Sequence, residues 1–129
     1  MSVKNRIVYV EDDDDIREVG LLALEHVGQF DVLACSSGEE AVEKTAEFKP
    51  DLILLDVMMP GMDGIETFER LRQIPELSPV PIVFMTAKVH NDEVSRYRDM
   101  GANGVIPKPF EPMTLPDEIR MIMDRHYDS

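Results

Sequence analysis

The sequence has one cysteine, no tryptophan and no long hydrophobic run. Because Cys35 has no second cysteine to pair with, the chain cannot form an internal disulfide bond. No apolar stretch approaches the ~20 residues that span a bilayer. The apolar run after Arg6 is also too short for the hydrophobic region of a signal peptide. We therefore expect a soluble, cytoplasmic protein.

Basic residues are scarce as well. Lys and Arg number 13 against 26 Asp and Glu, which gives a net charge of -13. This charge would repel the phosphates of nucleic acids and the headgroups of anionic lipids, so we expect no direct nucleic-acid binding and no membrane insertion. No P-loop or G-x-G-x-x-G motif supports nucleotide binding, and the acidic run from Asp14 does not fit an EF-hand calcium loop.

Short apolar runs recur along the chain and are separated by segments that fit helices. Their starts lie roughly 20 to 30 residues apart, which suits a strand followed by a crossover helix. Several runs show no polar alternation, as in strands that are covered on both faces. The pattern predicts one α/β domain over residues 1–129 with a five-stranded parallel sheet. The predicted strands are Ile7 to Val10, Phe30 to Ala34, Leu52 to Leu55, Ile82 to Met85, and Val105-Ile106.

Helix-start residues open the segments between these runs, because their side chains can bind the free amide groups of a first helical turn. In the first helix, Ile16, Val19, Ala23 and Val27 share one apolar face, and Gly28 marks its expected end. The predicted starts are Asp14 or Asp15 before Ile16, Ser37 with Glu40, Asp63 with Glu66, Asn91, and Thr114 with Asp117.

Polar residues stand at the ends of four predicted strands: Glu11-Asp12, Asp56, Thr86, and Lys108 after Pro107. Ligands of open parallel α/β sheets bind beyond the carboxyl ends of the strands. Carboxylates that converge there without a cation would cost several kcal/mol. Oxygen ligands without His or Cys favour Mg²⁺, which often binds together with phosphate oxygens. The sequence therefore predicts a Mg²⁺ site that handles phosphate.

The same residues suggest a reaction. Asp56 can act as a nucleophile and form an aspartyl-phosphate, while Mg²⁺ and Lys108 neutralise the transferring group. The hydroxyl group of Thr86 can donate a hydrogen bond to that group.

At this point the chain resembles the receiver domain of two-component response regulators. The resemblance implies a doubly wound, flavodoxin-like sheet with strand order 2-1-3-4-5. The matching stretches are Val8-Tyr9-Val10-Glu11-Asp12-Asp13, Asp51 to Gly64 (DLILLDVMMPGMDG), Met85-Thr86-Ala87, Gly101-Ala102, and Pro107-Lys108-Pro109-Phe110.

The resemblance also implies roles for individual residues. Asp56 would accept a phosphoryl group from a phosphohistidine on a histidine kinase or a histidine phosphotransfer protein. Asp12, Asp56 and the backbone carbonyl of Met58 would bind Mg²⁺ directly, whereas Glu11 would act through metal-bound water. The chain would be a signalling phosphoacceptor, not an enzyme acting on other molecules, and would catalyse only its own phosphorylation and dephosphorylation. The residues that contact the phosphoryl oxygens would be Thr86 and Lys108.

The acidic run thus divides into two parts. Glu11 and Asp12 belong to the predicted metal site. Asp13, Asp14 and Asp15 cap or begin the first helix, where negative charge suits the positive end of the helix dipole.

The sequence departs from the family in the fifth strand. Val105 stands where many receivers carry a switch Tyr or Phe, and valine is short and stiff at χ1. We expect the signal to pass instead through the loop from Ala87 to Asn91 and the fourth helix. By the same resemblance, the peptide bond between Lys108 and Pro109 is expected to be cis.

Two alternatives stay open. The chain could be a binding module of the same fold that works without phosphate, with an unknown downstream partner. It could also be a receiver cut from a larger hybrid kinase or transcription factor, although we expect a stand-alone regulator if the chain is complete. The phosphorylated module is favoured because the sequence retains Glu11, Asp12, Asp56, Thr86 and Lys108.

Overall fold

The computed structural model describes residues 4–128, so the ends of the expected domain, residues 1–3 and 129, lie outside it. A π-helical turn (Ala23–Val27) continues the first helix, and a 3₁₀ turn (Pro75–Leu77) follows the third. The strands and helices are β1 (Arg6–Val10), α1 (Asp14–Leu22), β2 (Asp31–Cys35), α2 (Gly38–Phe48), β3 (Leu52–Asp56), α3 (Gly64–Arg72), β4 (Ile82–Thr86), α4 (Asn91–Asp99), β5 (Gly104–Pro107) and α5 (Leu115–Asp128).

The five strands form one parallel sheet in the order β2-β1-β3-β4-β5, which confirms the predicted α/β fold. β3 and β4 are buried along their whole length. Burial on both faces explains why these strands show no polar alternation in the sequence. One face packs against α1, its π-helical turn and α5, and the other packs against α2, α3 and α4. No helix within the described range is long and apolar enough to cross a bilayer.

Three helices begin with the side-chain caps expected of acidic and hydroxyl residues. Ser37 accepts a hydrogen bond from the Glu40 amide at 3.1 Å, and Asp63 accepts one from the Glu66 amide at 2.9 Å. In α1 the cap is Asp13, which accepts from the Ile16 amide at 3.0 Å. The cap is therefore Asp13, one residue before the predicted start at Asp14 or Asp15, and these two aspartates lie in the first turn.

The two C-terminal helices begin at or next to the predicted residues, but without the predicted side-chain caps. Asn91 is the first residue of α4, but His90 occupies the cap position and makes no side-chain cap bond. At the start of α5, the hydroxyl group of Thr114 donates to the Glu111 carbonyl at 3.3 Å. Preceding turn residues thus take part in both starts.

The buried face of α1 also differs from the prediction. Val19 and Val27 of the predicted face are 45% and 44% exposed. The π-helical turn inserts an i to i+5 bond, from the Gly28 amide to the Ala23 carbonyl at 3.0 Å, and this bond shifts Val27 relative to a regular helix. Val19 precedes this turn and is exposed because the buried face of α1 contains Gly20 instead. The residues of this segment that are buried are Gly20, Ala23 and Leu24.

Gly20 allows α1 to approach the sheet. A Cβ atom at this position would lie 2.6 Å from Cε2 and Cζ of the Tyr9 ring, and Tyr9 is fully buried. The absence of a side chain at Gly20 therefore makes room for a large aromatic ring on β1.

We predict that Gly20→Val lowers the free energy of unfolding by about 2–3 kcal/mol, because the added side chain overpacks the contact with Tyr9. The matched control is Ser95→Val on the exposed side of α4, where the same side chain should change stability by less than about 0.5 kcal/mol. Urea denaturation followed by circular dichroism measures both. Equal losses in the two variants would contradict the packing role of Gly20.

Candidate metal centre

The register of the sheet brings the polar strand ends to one edge. Val10 pairs with Leu55, so that Glu11 and Asp56, the next residue of each strand, lie side by side. Thr86 ends β4 one residue beyond Met85, the partner of Asp56. The fold thereby gathers the strand-end residues that the sequence singled out.

Three carboxylates form the centre of this edge. Ligand oxygens of Glu11, Asp12 and Asp56 all lie within 4.8 Å of one another. Glu11 and Asp56 are buried, whereas Asp12 is partly exposed. Within residues 4–128, no hydrogen bond or ion pair engages the Asp12 carboxylate, and Asp56 Oδ2 is buried without a partner. This set of unpaired oxygens fits a hard cation.

Lys108 supplies the positive charge closest to these carboxylates. Its Nζ donates to Glu11 Oε1 at 2.8 Å and lies 3.3 Å from Asp56 Oδ1. Burial acts to lower the pKa of Lys108, but the contacts with Glu11 and Asp56 outweigh it and raise the pKa above its ordinary value. The ammonium group therefore stays charged. The Lys108 amide also donates to the Thr86 carbonyl at 3.0 Å, and the following Lys108-Pro109 bond is cis, as expected.

Asp56 has a strongly altered acidity. Burial raises its pKa most, the neighbouring Glu11 carboxylate raises it further, and Lys108 opposes both, with the result that the pKa lies at about 7. The positive charge of Lys108 thus compensates only part of the cost of burying two carboxylates. A bound cation would favour the ionised form of Asp56, so cations and protons compete for this side chain.

Two other residues of the predicted site are Thr86, at the end of β4, and Met58, on the loop after β3. The hydroxyl oxygen of Thr86 accepts a hydrogen bond from the Lys88 amide at 3.0 Å, which leaves its proton free to be donated. The Met58 amide donates to Asp56 Oδ1 at 3.2 Å, and the Met58 side chain is exposed. The ligand role of the Met58 carbonyl stays a prediction.

The loop after β3 is held tightly behind Asp56. The Gly64 amide donates to the Val57 carbonyl at 2.9 Å, and a Cβ atom on Gly64 would lie 2.5 Å from the Val57 Cα. The same Cβ would collide with the Asp56 carbonyl oxygen. Glycine at this position lets the start of α3 pack against the backbone that carries Asp56.

Sequence reasoning missed Arg17. Its Nη1 donates to the Glu11 carbonyl at 2.9 Å, and its Nη2 forms an ion pair with Asp14 at 2.6 Å. Its sequence position was the available signal, because Arg17 is the only Lys or Arg between residues 7 and 43 and lies two residues after the acidic run.

The position of Val105 is also clear in the structure. Val105 is partly buried and pairs with Phe84 on the neighbouring strand. An aromatic ring does reach this region, but it comes from α4: Tyr97 is buried and packs edge-to-face on Phe84, with ring centroids 5.3 Å apart. Phe84 packs in the same way on Phe68 of α3 at 5.4 Å. The sequence analysis did not identify Tyr97.

Comparison with known proteins agrees with this arrangement. Residues 7–120 match the family model of the response regulator receiver domain. The chain is 37% identical over 125 residues to the transcriptional regulatory protein CseB of Streptomyces coelicolor, which covers 97% of the chain and 52% of CseB. It is 36% identical over 127 residues to the DNA-binding response regulator MtrA of Mycolicibacterium smegmatis, covering 98% of the chain and 54% of MtrA. The chain thus spans about half the length of these relatives.

The fold matches a solved receiver structure. The chemotaxis protein CheY4 of Vibrio cholerae superposes with a TM-score of 0.85 at 28% identity, over 93% of this chain and 99% of CheY4. Fold, sequence and the arrangement of the strand ends therefore agree, and the chain belongs to the response regulator receiver domain family of two-component signal transduction.

Proposed function

We propose that the chain accepts a phosphoryl group on Asp56 in a Mg²⁺-dependent reaction and thereby switches its contacts with other proteins. The observation that carries this proposal is the buried, unpaired Oδ2 of Asp56, next to two further carboxylates and a lysine. A nucleophile in these surroundings has its attacking atom free and a positive group within reach.

The residues present fit Mg²⁺, since every candidate ligand is an oxygen atom. Asp12 and Asp56 would hold the ion, together with the Met58 carbonyl. Both carboxylate oxygens of Glu11 already have partners, Lys108 Nζ at 2.8 Å and the Asp13 amide at 3.2 Å, which supports an outer role through metal-bound water. When bound, Mg²⁺ would supply positive charge against the transferring phosphoryl group.

The protein's own side chains account for the rest of the chemistry. An oxygen of the Asp56 carboxylate attacks phosphorus, a new O–P bond forms, and the P–N bond to the donor histidine breaks with its electron pair staying on the imidazole. The ammonium group of Lys108 neutralises charge on the phosphoryl oxygens, and the Thr86 hydroxyl donates a hydrogen bond to one of them. The chain acts on itself, which makes it a signalling phosphoacceptor.

The proposal implies a phosphohistidine donor, on a histidine kinase or a histidine phosphotransfer protein, and a cytoplasmic location where such donors act. We propose one receiver domain over residues 1–129, with a downstream protein partner. MtrA is named a DNA-binding regulator, but the net charge of -13 supports our expectation that this chain does not itself contact DNA. A receiver within a longer regulator remains the second candidate, because the chain spans about half of its relatives.

We predict that incubation with acetyl phosphate and Mg²⁺ adds the mass of one phosphoryl group, and that Asp56→Asn abolishes the addition. The control is Asp63→Asn, the same chemical change in the same loop, because asparagine caps a helix about as well as aspartate. Intact-mass spectrometry measures the labelling. Undiminished labelling of the Asp56 variant would remove the central claim, and a wild-type chain that takes up no phosphate would favour the phosphate-independent binding module.

We also predict that Mg²⁺ stabilises the protein, with a gain of about 1.4 kcal/mol at tenfold excess over its dissociation constant. The gain should grow with pH. The pKa of Asp56 is about 7 in the folded chain against 3.8 for an ordinary aspartate, so the metal-free protein loses stability as pH rises from about 4 through about 7. Mg²⁺ should offset this loss, and its effect should be larger at pH 8 than at pH 5.5.

Thermal unfolding with millimolar Mg²⁺ or with a chelator, at both pH values, tests this expectation. Asp56→Asn is the control, since it lacks the titrating carboxyl and one proposed ligand. An unchanged melting temperature of the wild-type chain with Mg²⁺ and with a chelator at pH 8 would contradict the metal site.

A further prediction concerns the output. With beryllofluoride bound at Asp56, we expect the largest backbone NMR shifts in residues 87–91 and α4. Tyr97 should shift with them, because its ring packs on Phe84, two residues before Thr86. Val105 has no aromatic ring that could change its rotamer in response. Shifts confined to β5, with α4 unmoved, would show that this route is wrong.

A further inference from the structure

Arg17 reaches back from α1 over the loop that carries two of the three carboxylates. Its Nη1 donates to the Glu11 carbonyl at 2.9 Å and lies 3.5 Å from the Asp12 carbonyl. Its side chain is 22% exposed, so most of the arginine is packed against this loop.

The guanidinium group of Arg17 is the hydrogen-bond donor to the carbonyl groups of Glu11 and Asp12. The last ladder bond on this side of β1 runs from the Glu11 amide to the Cys35 carbonyl at 3.0 Å. Beyond it, within residues 4–128, no backbone amide donates to the carbonyls of Glu11 or Asp12. On the carbonyl side, Arg17 therefore holds the peptide groups between the end of β1 and the start of α1, while the Asp13 amide donates to Glu11 Oε2.

The direction of the Asp12 carboxylate follows from that backbone. No described hydrogen bond or ion pair holds the side chain itself. Glu11 differs, because Lys108 and the Asp13 amide hold its carboxylate directly. Backbone motion in this loop would therefore mainly change the direction of the Asp12 carboxylate, which the proposed function assigns to the metal.

The second contact of Arg17 anchors the guanidinium from the helix side. Nη2 pairs with Asp14 Oδ1 at 2.6 Å, but the Asp14 side chain is 87% exposed. Exposed ion pairs contribute little by themselves. Arginine is suited to this position because its planar fork can bind a carbonyl and a carboxylate at once, which a lysine ammonium cannot do with the same geometry.

We propose that Arg17 is a positioning residue of the metal centre, which holds the Glu11 and Asp12 carbonyls so that the Asp12 carboxylate faces Asp56. This inference rests on the proposed function, because it assumes that the three carboxylates bind Mg²⁺. Residues that orient metal ligands in this way commonly change metal affinity by tenfold or more.

Charge and positioning predict effects of opposite sign. A positive side chain near the site repels Mg²⁺, so removing Arg17 should tighten binding if its charge is all that matters. Losing the hold on the loop should weaken binding instead. The sign of the change therefore separates the two roles.

The experiment compares Arg17→Met and Arg17→Lys with the wild-type chain. The control Arg70→Met makes the same change of charge on the exposed side of α3, where Arg70 lies 4.0 Å from Glu66. MgCl₂ is titrated into metal-free protein by calorimetry at fixed ionic strength, and the melting temperature is measured in chelator. We expect the dissociation constant for Mg²⁺ to rise about tenfold in both Arg17 variants and to stay unchanged in the control.

Labelling by acetyl phosphate supplies a second readout. The Mg²⁺ concentration for half-maximal rate should rise by the same factor in the Arg17 variants, while the rate at saturating Mg²⁺ stays close to that of the wild type. A purely structural role would lower the melting temperature in chelator without moving the Mg²⁺ affinity of the folded protein.

Three results would overturn the inference: tighter Mg²⁺ binding in Arg17→Met, wild-type affinity in Arg17→Lys, or an equal change in Arg70→Met. If Arg17→Met does not fold, the lysine variant and the chelator measurement still decide the question. A wild-type chain that binds no Mg²⁺ is a different result, since it would overturn the proposed function itself.

Discussion

The contact between Lys108 and the buried carboxylates is the constraint around which this edge of the sheet is organised. Glu11 and Asp56 are almost completely buried, and two such charges would be strongly destabilising without a positive partner. Lys108 lies 97 residues from Glu11 along the chain, yet its Nζ comes within 2.8 Å of the Glu11 carboxylate. The sheet order β2-β1-β3-β4-β5, in which all strands run parallel, brings the carboxyl ends of β1, β3 and β5 to the same edge and makes this contact possible.

Lys108 compensates only part of the negative charge at this edge of the sheet, because there are more carboxylates than positive groups. One ammonium group contacts two buried carboxylates, and the third carboxylate, of Asp12, lies beside them without an ion pair among the described residues. The result is visible in Asp56, whose pKa rises to about 7. A site with fully balanced charges would gain little from a bound cation, whereas at this site a cation can replace the proton of Asp56. The ionised form of Asp56, which the proposed function requires, is therefore the form that burial destabilises in the metal-free protein.

Much of the fold was readable from the sequence because it depends on local chemistry. Uninterrupted apolar runs predicted the buried strands β3 and β4, and Ser37 and Asp63 predicted helix starts through their own side chains. The predicted face of α1 was wrong at Val19 and Val27, because the buried face runs through Gly20, Ala23 and Leu24 and Gly20 lies against the Tyr9 ring. Arg17 and Tyr97 were missed for a related reason. Their contacts depend on where neighbouring elements lie in three dimensions, which residue spacing does not report.

The aromatic contacts near Val105 link β4 to α4. A valine in β5 leaves no large side chain on that strand next to Phe84, and the space above Phe84 is covered instead by Tyr97 from α4. Phe84 lies two residues before Thr86 on the same side of β4, and Lys88 is bound to the Thr86 hydroxyl through its amide. A movement of Thr86 would therefore displace the loop that leads into α4. The same strand also contacts α4 directly, through the rings of Phe84 and Tyr97. Under the proposed function, this ring contact would couple β4 to α4, because the aromatic side chain belongs to the helix and not to β5.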